Sequence, residues 1–277
     1  MKKLLSLLIG AGLLLGTVGA NAGPEQDREA LVKYFTTKYP NVKLDDYVNG
    51  ALAFDPDAMA QYKEIMSFPP FVGTIEQGKK MWDTPFANGK TYASCFPNGG
   101  KDIAGNYPYF DDKTGKVVTL NDAIDACRVA NGEKPYGLAS NEIGVLDSYM
   151  RTLSDGMKMD IKVQGPGALA AYERGKKIYF SRIGQLNFAC ATCHVQQAGG
   201  PRLRSDLLSP IIGQATHWPV FRSGGTKVVT LQARYKGCFK MIRAVPPKIG
   251  SQEMNDLEYF HSYVSNGLPM QASVFRK

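Results

Sequence analysis

Two cysteines and a histidine, Cys190, Cys193 and His194, stand in the order Cys-Ala-Thr-Cys-His. Two thiols at this spacing can form thioether bonds to the two vinyl groups of haem, while the histidine that follows supplies an axial nitrogen to the iron. A zinc knuckle would require two more ligands nearby, and a thioredoxin-type redox pair would not require the histidine. The motif therefore predicts one covalently bound haem c.

An internal repeat is the second informative feature of the sequence. Residues 116–127, KVVTLNDAIDAC, match residues 227–238, KVVTLQARYKGC, at a constant offset of 111. Further upstream, EQGKKMW from residue 76 matches ERGKKIY from residue 173 at an offset of 97. The chain therefore contains two copies of one unit, and the haem motif lies in the second copy.

The first copy lacks the haem motif. Cys95 lies close to the position equivalent to Cys193, but Tyr92 and Phe96 stand where the other cysteine and the histidine would be. We therefore predict that the first copy has no haem. In an oxidising compartment Cys95 and Cys127 are expected to form a disulfide, which would stabilise a domain without its cofactor. The alternative, two buried free thiols, is less common outside the cytosol.

The remaining cysteine, Cys238, stands in the second copy where Cys127 stands in the first. If Cys127 reaches the former haem site of its own copy, Cys238 should reach the haem iron, where its sulfur would be an axial ligand. A thiolate ligand stabilises ferric iron and lowers the reduction potential. Arg234, four residues earlier, would bind an anionic substrate, a haem propionate, or both. Lys236 and Arg243 either add positive charge or face solvent.

Other side chains could take the place of Cys238 on the iron. A methionine ligand would make the protein a plain electron-transfer cytochrome, in which Cys238 has no chemical role. Met254 and Met270 are also expected to serve in packing, and His261 is expected to lie on the surface or in packing rather than on the iron. The enzyme and the electron carrier thus both stay open on the residues alone. The competing ligands are Met241, Met254, Met270, His217 and His261.

Helices must position these residues. Apolar spacing close to the helical period predicts a helix ahead of the haem motif and a closing helix in each copy, from Asn141 and from Gln252. The predicted fold is mainly α, with two tandem cytochrome c-like domains at residues 23–163, without haem, and 164–277, with haem. Gly175 would let its helix approach another closely. Residues 25–70 are expected to form a helical arm around the first domain.

The first 22 residues predict export. Lys2 and Lys3 precede an apolar run and the triplet Ala20-Asn21-Ala22, which is typical of a signal peptide. The run is too short for a membrane anchor, so we expect a periplasmic protein. Without the two lysines, 31 basic and 25 acidic side chains remain, a balance of +6. This charge suits anionic small molecules or an acidic partner, and without a basic tract it argues against nucleic acid.

Three stretches together carry a resemblance to a known family. They are GQLNFACATCH at residues 184–194, QARYKGCFKMIRAVPP at residues 232–247, and NYPYFDDKTGKVVTLNDAIDACR at residues 106–128, which follows CFPNGG. Over nearly the whole chain from about Pro24, the sequence resembles the SoxA family of c-type cytochromes. That family has diheme and monoheme branches, and the departures at Tyr92 and Phe96 make this chain similar to the monoheme branch.

The resemblance implies an activity and roles for individual residues. The activity is the oxidative conjugation of thiosulfate to a cysteine of a carrier protein, by an L-cysteine S-thiosulfotransferase. By resemblance, Cys190 and Cys193 attach the haem, His194 is the proximal ligand, Cys238 is the distal ligand, found as a persulfide and proposed as the covalent intermediate, and Arg234 binds the substrate. The implied partners are SoxX, a small cytochrome c that forms a heterodimer with the chain, and the SoxYZ carrier. The electrons would pass through the haem to SoxX or another cytochrome c.

Overall fold

The computed structural model describes residues 23–203, 207–222 and 228–276, so the predicted signal peptide lies outside the described residues. The prediction of a mainly α fold is confirmed. None of the helices in the described part of the chain has the length and apolar content needed to cross a bilayer. The helices are α1 Pro24–Lys38, α2 Pro56–Ser67, α3 Val72–Asp83, α4 Leu120–Ala130, α5 Asn141–Thr152, α6 Gly165–Phe180, α7 Leu231–Met241 and α8 Gln252–Tyr263.

Short strands complete each copy. In the first copy, β1 Tyr109–Asp111 pairs antiparallel with β2 Lys116–Val118. In the second copy, β3 Val220–Phe221 pairs antiparallel with β4 Val228–Val229. A fifth strand, β5 Val274–Phe275, pairs parallel with β3. The hairpin thus precedes the cysteine-bearing helix in both copies.

The repeat found in the sequence is a repeat of structure. Helices α4 and α5 begin at Leu120 and Asn141, and α7 and α8 begin 111 residues later at Leu231 and Gln252. The residues that cap the N-termini of these helices also repeat. Before α4 the Thr119 hydroxyl accepts a hydrogen bond from the backbone N–H three residues on, and the threonine before α7 does the same. Serines cap α5 and α8 in the same way, because such side chains satisfy free N–H groups.

Each copy contains one close helix crossing that requires a glycine. Helix α3 crosses α5 at Gly78, where a Cβ atom would lie 2.6 Å from the carbonyl oxygen of Val145. Helix α6 crosses α8 at Gly175, where a Cβ atom would overlap the carbonyl oxygen of Asp256. Val145 and Asp256 are again separated by the offset of 111. The expected close approach at Gly175 is confirmed, and it places α6 so that its C-terminal end leads into the haem motif.

The two copies are joined by reciprocal backbone hydrogen bonds. The N–H of Gly156 donates to the carbonyl of Met270 at 3.1 Å, and the equivalent N–H of Gly267 donates to the carbonyl of Met159 at 2.9 Å. The N–H of Met159 donates to Leu268 at 2.9 Å, and the N–H of Met270 donates to the carbonyl of residue 157 at 2.8 Å. We call this paired segment, residues 156–159 and 267–270, the seam. The domain limits near residue 163 stay a prediction.

The N-terminal arm packs against the second copy, so the expectation that it surrounds the first was wrong. The Asp27 carboxylate lies 2.6 Å from Lys176 Nζ on α6, and the Tyr39 hydroxyl donates to the carbonyl of Ala198, just beyond the haem motif, at 2.5 Å. The sequence indicated a helical arm but does not show which surface the arm packs against, and here polar groups on α6 and the haem-motif loop supply the partners.

Candidate functional site

His194 lies in a short π-helical segment, Thr192–Gln196, and its imidazole is oriented by a backbone carbonyl. Its Nδ1 is 2.8 Å from the carbonyl oxygen of Ser209, which can only accept, so Nδ1 carries the hydrogen and Nε2 keeps a free lone pair. The Gln214 amide nitrogen, 3.2 Å from the same Nδ1, donates to the Ser209 hydroxyl at 2.7 Å. Burial lowers the pKa of His194 and keeps the ring neutral. A neutral imidazole of this orientation is suited to bind iron.

The structure brings Cys238 to the haem motif. Cys190, Cys193 and Cys238 are all free of disulfides and only partly accessible. Burial raises the pKa of Tyr179 well above its ordinary value, and the nearby thiols of Cys190, Cys238 and Cys193 raise it further. Three sulfur atoms from two segments therefore surround one buried tyrosine at the end of α6.

The residues at this position fit a haem c. The two motif thiols have the spacing for thioether bonds, and His194 offers a free Nε2. The Tyr179 hydroxyl is buried and has no hydrogen-bond partner among the described residues, although buried hydroxyl groups are normally paired. An unpaired polar atom beside three thiols is consistent with a group that the protein binds there.

Helix α7 carries the predicted reactive residues on one face. Arg234 and Cys238 are four residues apart, and both are half-buried, while Lys236 between them is exposed. Burial raises the pKa of the Cys238 thiol, and Arg234 and then Arg222 lower it in part. Arg234 also lowers the pKa of His194, so its charge lies near both sides of the site. The site therefore combines a reactive sulfur with two permanent positive charges.

Arg222 is a site residue that the sequence analysis missed. It follows β3 and is separated from Cys238 by the hairpin, so the spacing along the chain gave no signal. The repeat places Asp111 at the equivalent position of the first copy, so a charge reversal between the copies was the available signal. Arg243, in contrast, is exposed beyond the end of α7.

The competing methionines lie in the core or face solvent, and each competing histidine has a polar partner at its Nδ1. Met254 and Met270 belong to the hydrophobic core, and Met241 is 51% exposed. His217 Nδ1 lies 3.0 Å from the carbonyl of Val48 in the N-terminal arm. His261 is buried rather than on the surface, and its Nδ1 lies 2.6 Å from the hydroxyl of a tyrosine on α7. Its packing role, one of the two alternatives expected, is the one that the structure has.

The first copy contains a disulfide and an aromatic cluster at the equivalent place. Cys95 is bonded to Cys127, as predicted. Trp82 stacks on Tyr92 with 5.7 Å between ring centroids and on Phe96 with 5.8 Å, and both of these residues are buried. The Tyr92 hydroxyl accepts a hydrogen bond of 2.9 Å from an arginine on α4. The first copy thus has a packed aromatic cluster and a disulfide in place of a haem motif.

Comparisons with known proteins identify the family to which the chain belongs. Residues 77–159 match the model of the SoxA/TsdA cytochrome c domain family. The chain is 44% identical to the L-cysteine S-thiosulfotransferase subunit SoxA of Chlorobaculum tepidum, with 100% of both chains covered. It is 43% identical to the SoxA subunit of Allochromatium vinosum, over 98% of this chain and 96% of that one. The crystal structure of SoxXA from P. pantotrophus aligns with a TM-score of 0.68 and 32% identity, over 75% of this chain and 79% of that chain.

Proposed function

The chain belongs to the SoxA family of L-cysteine S-thiosulfotransferase subunits, and from this membership we propose that its reaction takes place at Cys238 beside one covalently bound haem c. The observation that carries the proposal is that α7 brings a half-buried Cys238 to Cys190 and Cys193, within the field of two arginines. A cysteine with no further role would not require that charge around its sulfur.

The residues that would hold the haem are those of the second copy. Cys190 and Cys193 would attach the haem through thioether bonds, and Nε2 of His194 and the sulfur of Cys238 would hold its iron. A haem held by a thiolate would supply one-electron transfer at a low reduction potential. The Ser209 carbonyl fixes the orientation of the His194 ring, and both His194 and Cys238 are half-buried.

Cys238 is the covalent participant in the reaction that we propose. The sulfane sulfur of thiosulfate bonds to the Cys238 thiolate, which forms one S–S bond and releases two electrons, one to each of two cytochrome c acceptors. The carrier cysteine, as a thiolate, then attacks that sulfane sulfur, and the Cys238 thiolate leaves without further loss of electrons. The proton of the carrier thiol passes to solvent. One S–S bond between thiosulfate and the carrier cysteine is the net product.

Arg234 and Arg222 would bind the substrate. Thiosulfate is a dianion, and a guanidinium group offers planar, permanently charged donors that match its oxygens. The two arginines also partly offset the rise that burial causes in the pKa of Cys238. They therefore favour the anionic form of the nucleophile and the anionic substrate at the same place.

One haem per chain is part of the proposal. In the first copy, Tyr92 and Phe96 replace an attachment cysteine and a ligand histidine, and they pack against Trp82. The remaining cysteine of that site is held in the Cys95–Cys127 disulfide. With neither a free thiol nor an imidazole, the first copy offers no group that could attach haem.

Partners and location follow from the family. We propose that the chain pairs with SoxX, as the P. pantotrophus SoxXA structure suggests for a relative, that it acts on a cysteine of SoxYZ, and that it works in the periplasm. The N-terminal sequence and the disulfide support an exported, oxidising location. The net positive charge of the chain suits both an anionic substrate and an acidic partner.

The test is the Cys238→Ala variant. We expect thiosulfate-dependent turnover with SoxYZ to fall by at least about 10³-fold, because the covalent step is lost. Intact mass spectrometry is expected to show one haem on both proteins, and the ferric haem spectrum of the variant should change with its ligand. Met241→Ala, at an exposed position of the same helix, should keep both properties. Turnover that persists in Cys238→Ala would refute the proposal.

A further inference from the structure

A buried glutamine at the start of α7 uses both ends of its side-chain amide. Gln232 Nε2 donates to Asn255 Oδ1 and to Glu258 Oε2, each at 2.9 Å, and both acceptors lie on α8. Its Oε1 accepts from the backbone N–H of Gly250 at 2.8 Å. Because that N–H can only donate, the orientation of the amide is fixed. The first turn of α7 is thus tied to α8 and to the loop before it.

The hydrogen bonds continue into the first copy. Asn255 Nδ2 donates to the carbonyl of Val117 on β2 at 3.0 Å and to Asp122 Oδ2 on α4 at 2.9 Å. Asp122 belongs to the capping box that begins α4. One continuous set of hydrogen bonds therefore joins α7 of the second copy to the hairpin and the helix start of the first copy.

The first copy does not contain this link. The positions equivalent to Gln232 and Glu258, at the offset of 111, are Asn121 and Asp147. Asp147 instead forms a buried ion pair with Arg151 at 2.8 Å, and the side-chain oxygen of Asn121 is buried with no partner among the described residues. The link thus occurs in the copy that carries the reactive cysteine, and its counterpart residues are not joined in the other copy.

We propose that Gln232 and Glu258 are positioning residues, which hold α7 so that Arg234 and Cys238 are presented correctly for sulfur transfer. The proposal rests on the proposed function, since it assigns the reaction to those two residues. A helix is stiff over one or two turns, so fixing Gln232 fixes the rotation of the whole face that ends at Cys238. Displacements of about 1 Å by distant changes can cost a reaction about 10²-fold.

Glu258 acts in this link as an acceptor. It is surrounded by Asp122 on α4, Asp147 and Arg151 on α5, and Tyr235 on α7. A carboxamide at the same position can still accept the hydrogen bond from Gln232, so the link does not depend on a negative charge. Shortening either side chain by one methylene, as in the first copy, would open the link.

The test compares variants of the full, haem-loaded protein. Gln232→Asn gives α7 the residue of the first copy, Glu258→Gln keeps the acceptor, and Asn121→Ala is the matched control in the first copy. We expect the ferric haem of Gln232→Asn to show a second low-spin or high-spin population by electron paramagnetic resonance, and turnover with thiosulfate to fall about tenfold or more. Glu258→Gln and Asn121→Ala should keep the wild-type signal and turnover at pH 7.

Each result decides the proposal. A wild-type signal and wild-type turnover in Gln232→Asn would overturn it, and so would equal losses in Glu258→Gln, because charge rather than positioning would then be responsible. If Gln232→Asn does not yield haem-loaded protein, Glu258→Asp opens the same link from α8 and replaces it in the comparison. Cys238→Ala, measured in parallel, separates this test from that of the proposed function: unchanged turnover there refutes the role of Cys238, whatever Gln232 does.

Discussion

Arg234 and Arg222 act on the Cys238 sulfur from different elements, the first from α7 and the second from the end of β3. Two guanidinium groups carry one more positive charge than is needed to neutralise a single thiolate. A dianionic substrate explains the second charge, because thiosulfate brings two negative charges to a half-buried position. Each arginine should therefore contribute to substrate binding.

We predict that Arg234→Lys and Arg222→Lys each raise the KM for thiosulfate about tenfold, since a lysine keeps the charge but loses one charge-assisted hydrogen bond. Steady-state kinetics would measure the change, with the haem spectrum as a check on ligation. The exposed Lys236 lies on the same helix and supplies the control, so Lys236→Ala should leave KM within about twofold. An equal rise in Lys236→Ala would show that net charge alone is responsible.

At the level of residues, the sequence predicts what local spacing determines. The haem motif, Cys238 and Arg234 follow from a short motif and from the repeat. Gln232 and Glu258 give no such signal, because a buried glutamine and glutamate are recognised only when their partners on other helices are known. Arg222 lies across a hairpin from Cys238, the residue whose pKa it lowers. The difference between Gln232 and Glu258 and their equivalents in the first copy, Asn121 and Asp147, becomes informative only when the contacts of both copies are known.

At the level of elements, the crossing of α6 and α8 fixes the haem motif. The atoms next to Gly175 belong to the backbone of α8, at the carbonyl group of Asp256, so they cannot turn aside as a side chain could. Any Cβ atom at this position would force the helices apart. The sequence analysis predicted the crossing at Gly175, and the structure shows that Gly78 makes the equivalent crossing in the first copy.

We predict that Gly175→Ala lowers the free energy of unfolding by about 3 kcal/mol or more, because the helices must separate and lose packing. Denaturant unfolding, followed by circular dichroism, would measure it. Gly73→Ala on α3 is the matched control, since a Cβ there meets no atom within 4 Å, and alanine favours helix. A loss in Gly175→Ala no larger than that in Gly73→Ala would contradict the close crossing.

The N-terminal arm shows where prediction of elements stops. The sequence predicted a helical arm, yet the contact of that arm with the second copy includes single polar pairs such as Asp27 with Lys176. Aspartate and lysine are both common on protein surfaces, so the sequence alone does not indicate that these two residues form a pair. Their pairing is a property of the assembled fold, in which α1 lies beside α6.

At the level of the whole molecule, carboxylates gather where the two copies meet. Glu258 of the second copy lies near Asp122 and Asp147 of the first, and Asp147 is paired with Arg151. Burial, with a smaller contribution from these two carboxylates, raises the pKa of Glu258 to about 7. The contact between the copies is therefore sensitive to pH near neutrality.

We predict that Glu258→Gln makes the free energy of unfolding less sensitive to pH. Between the ordinary pKa of a glutamate and about 7, the folded protein binds more protons at Glu258 than the unfolded chain, so the free energy of unfolding falls as pH rises through that window. The free energy of unfolding of the variant, measured relative to that of wild type, should therefore rise between pH 5 and pH 8 by an amount on the order of 3 kcal/mol. Urea unfolding at several pH values measures this, and a constant difference would contradict it.

The seam has a consequence for assembly. Its hydrogen bonds are reciprocal, because each copy uses the same backbone segment to contact the other, as subunits do in an isologous homodimer. Here both halves belong to one polypeptide, and the symmetric edge is saturated within the chain. A single copy on its own would expose that edge and would pair with itself. Because the two copies already pair with each other within one chain, the outer faces of the molecule remain available for other partners.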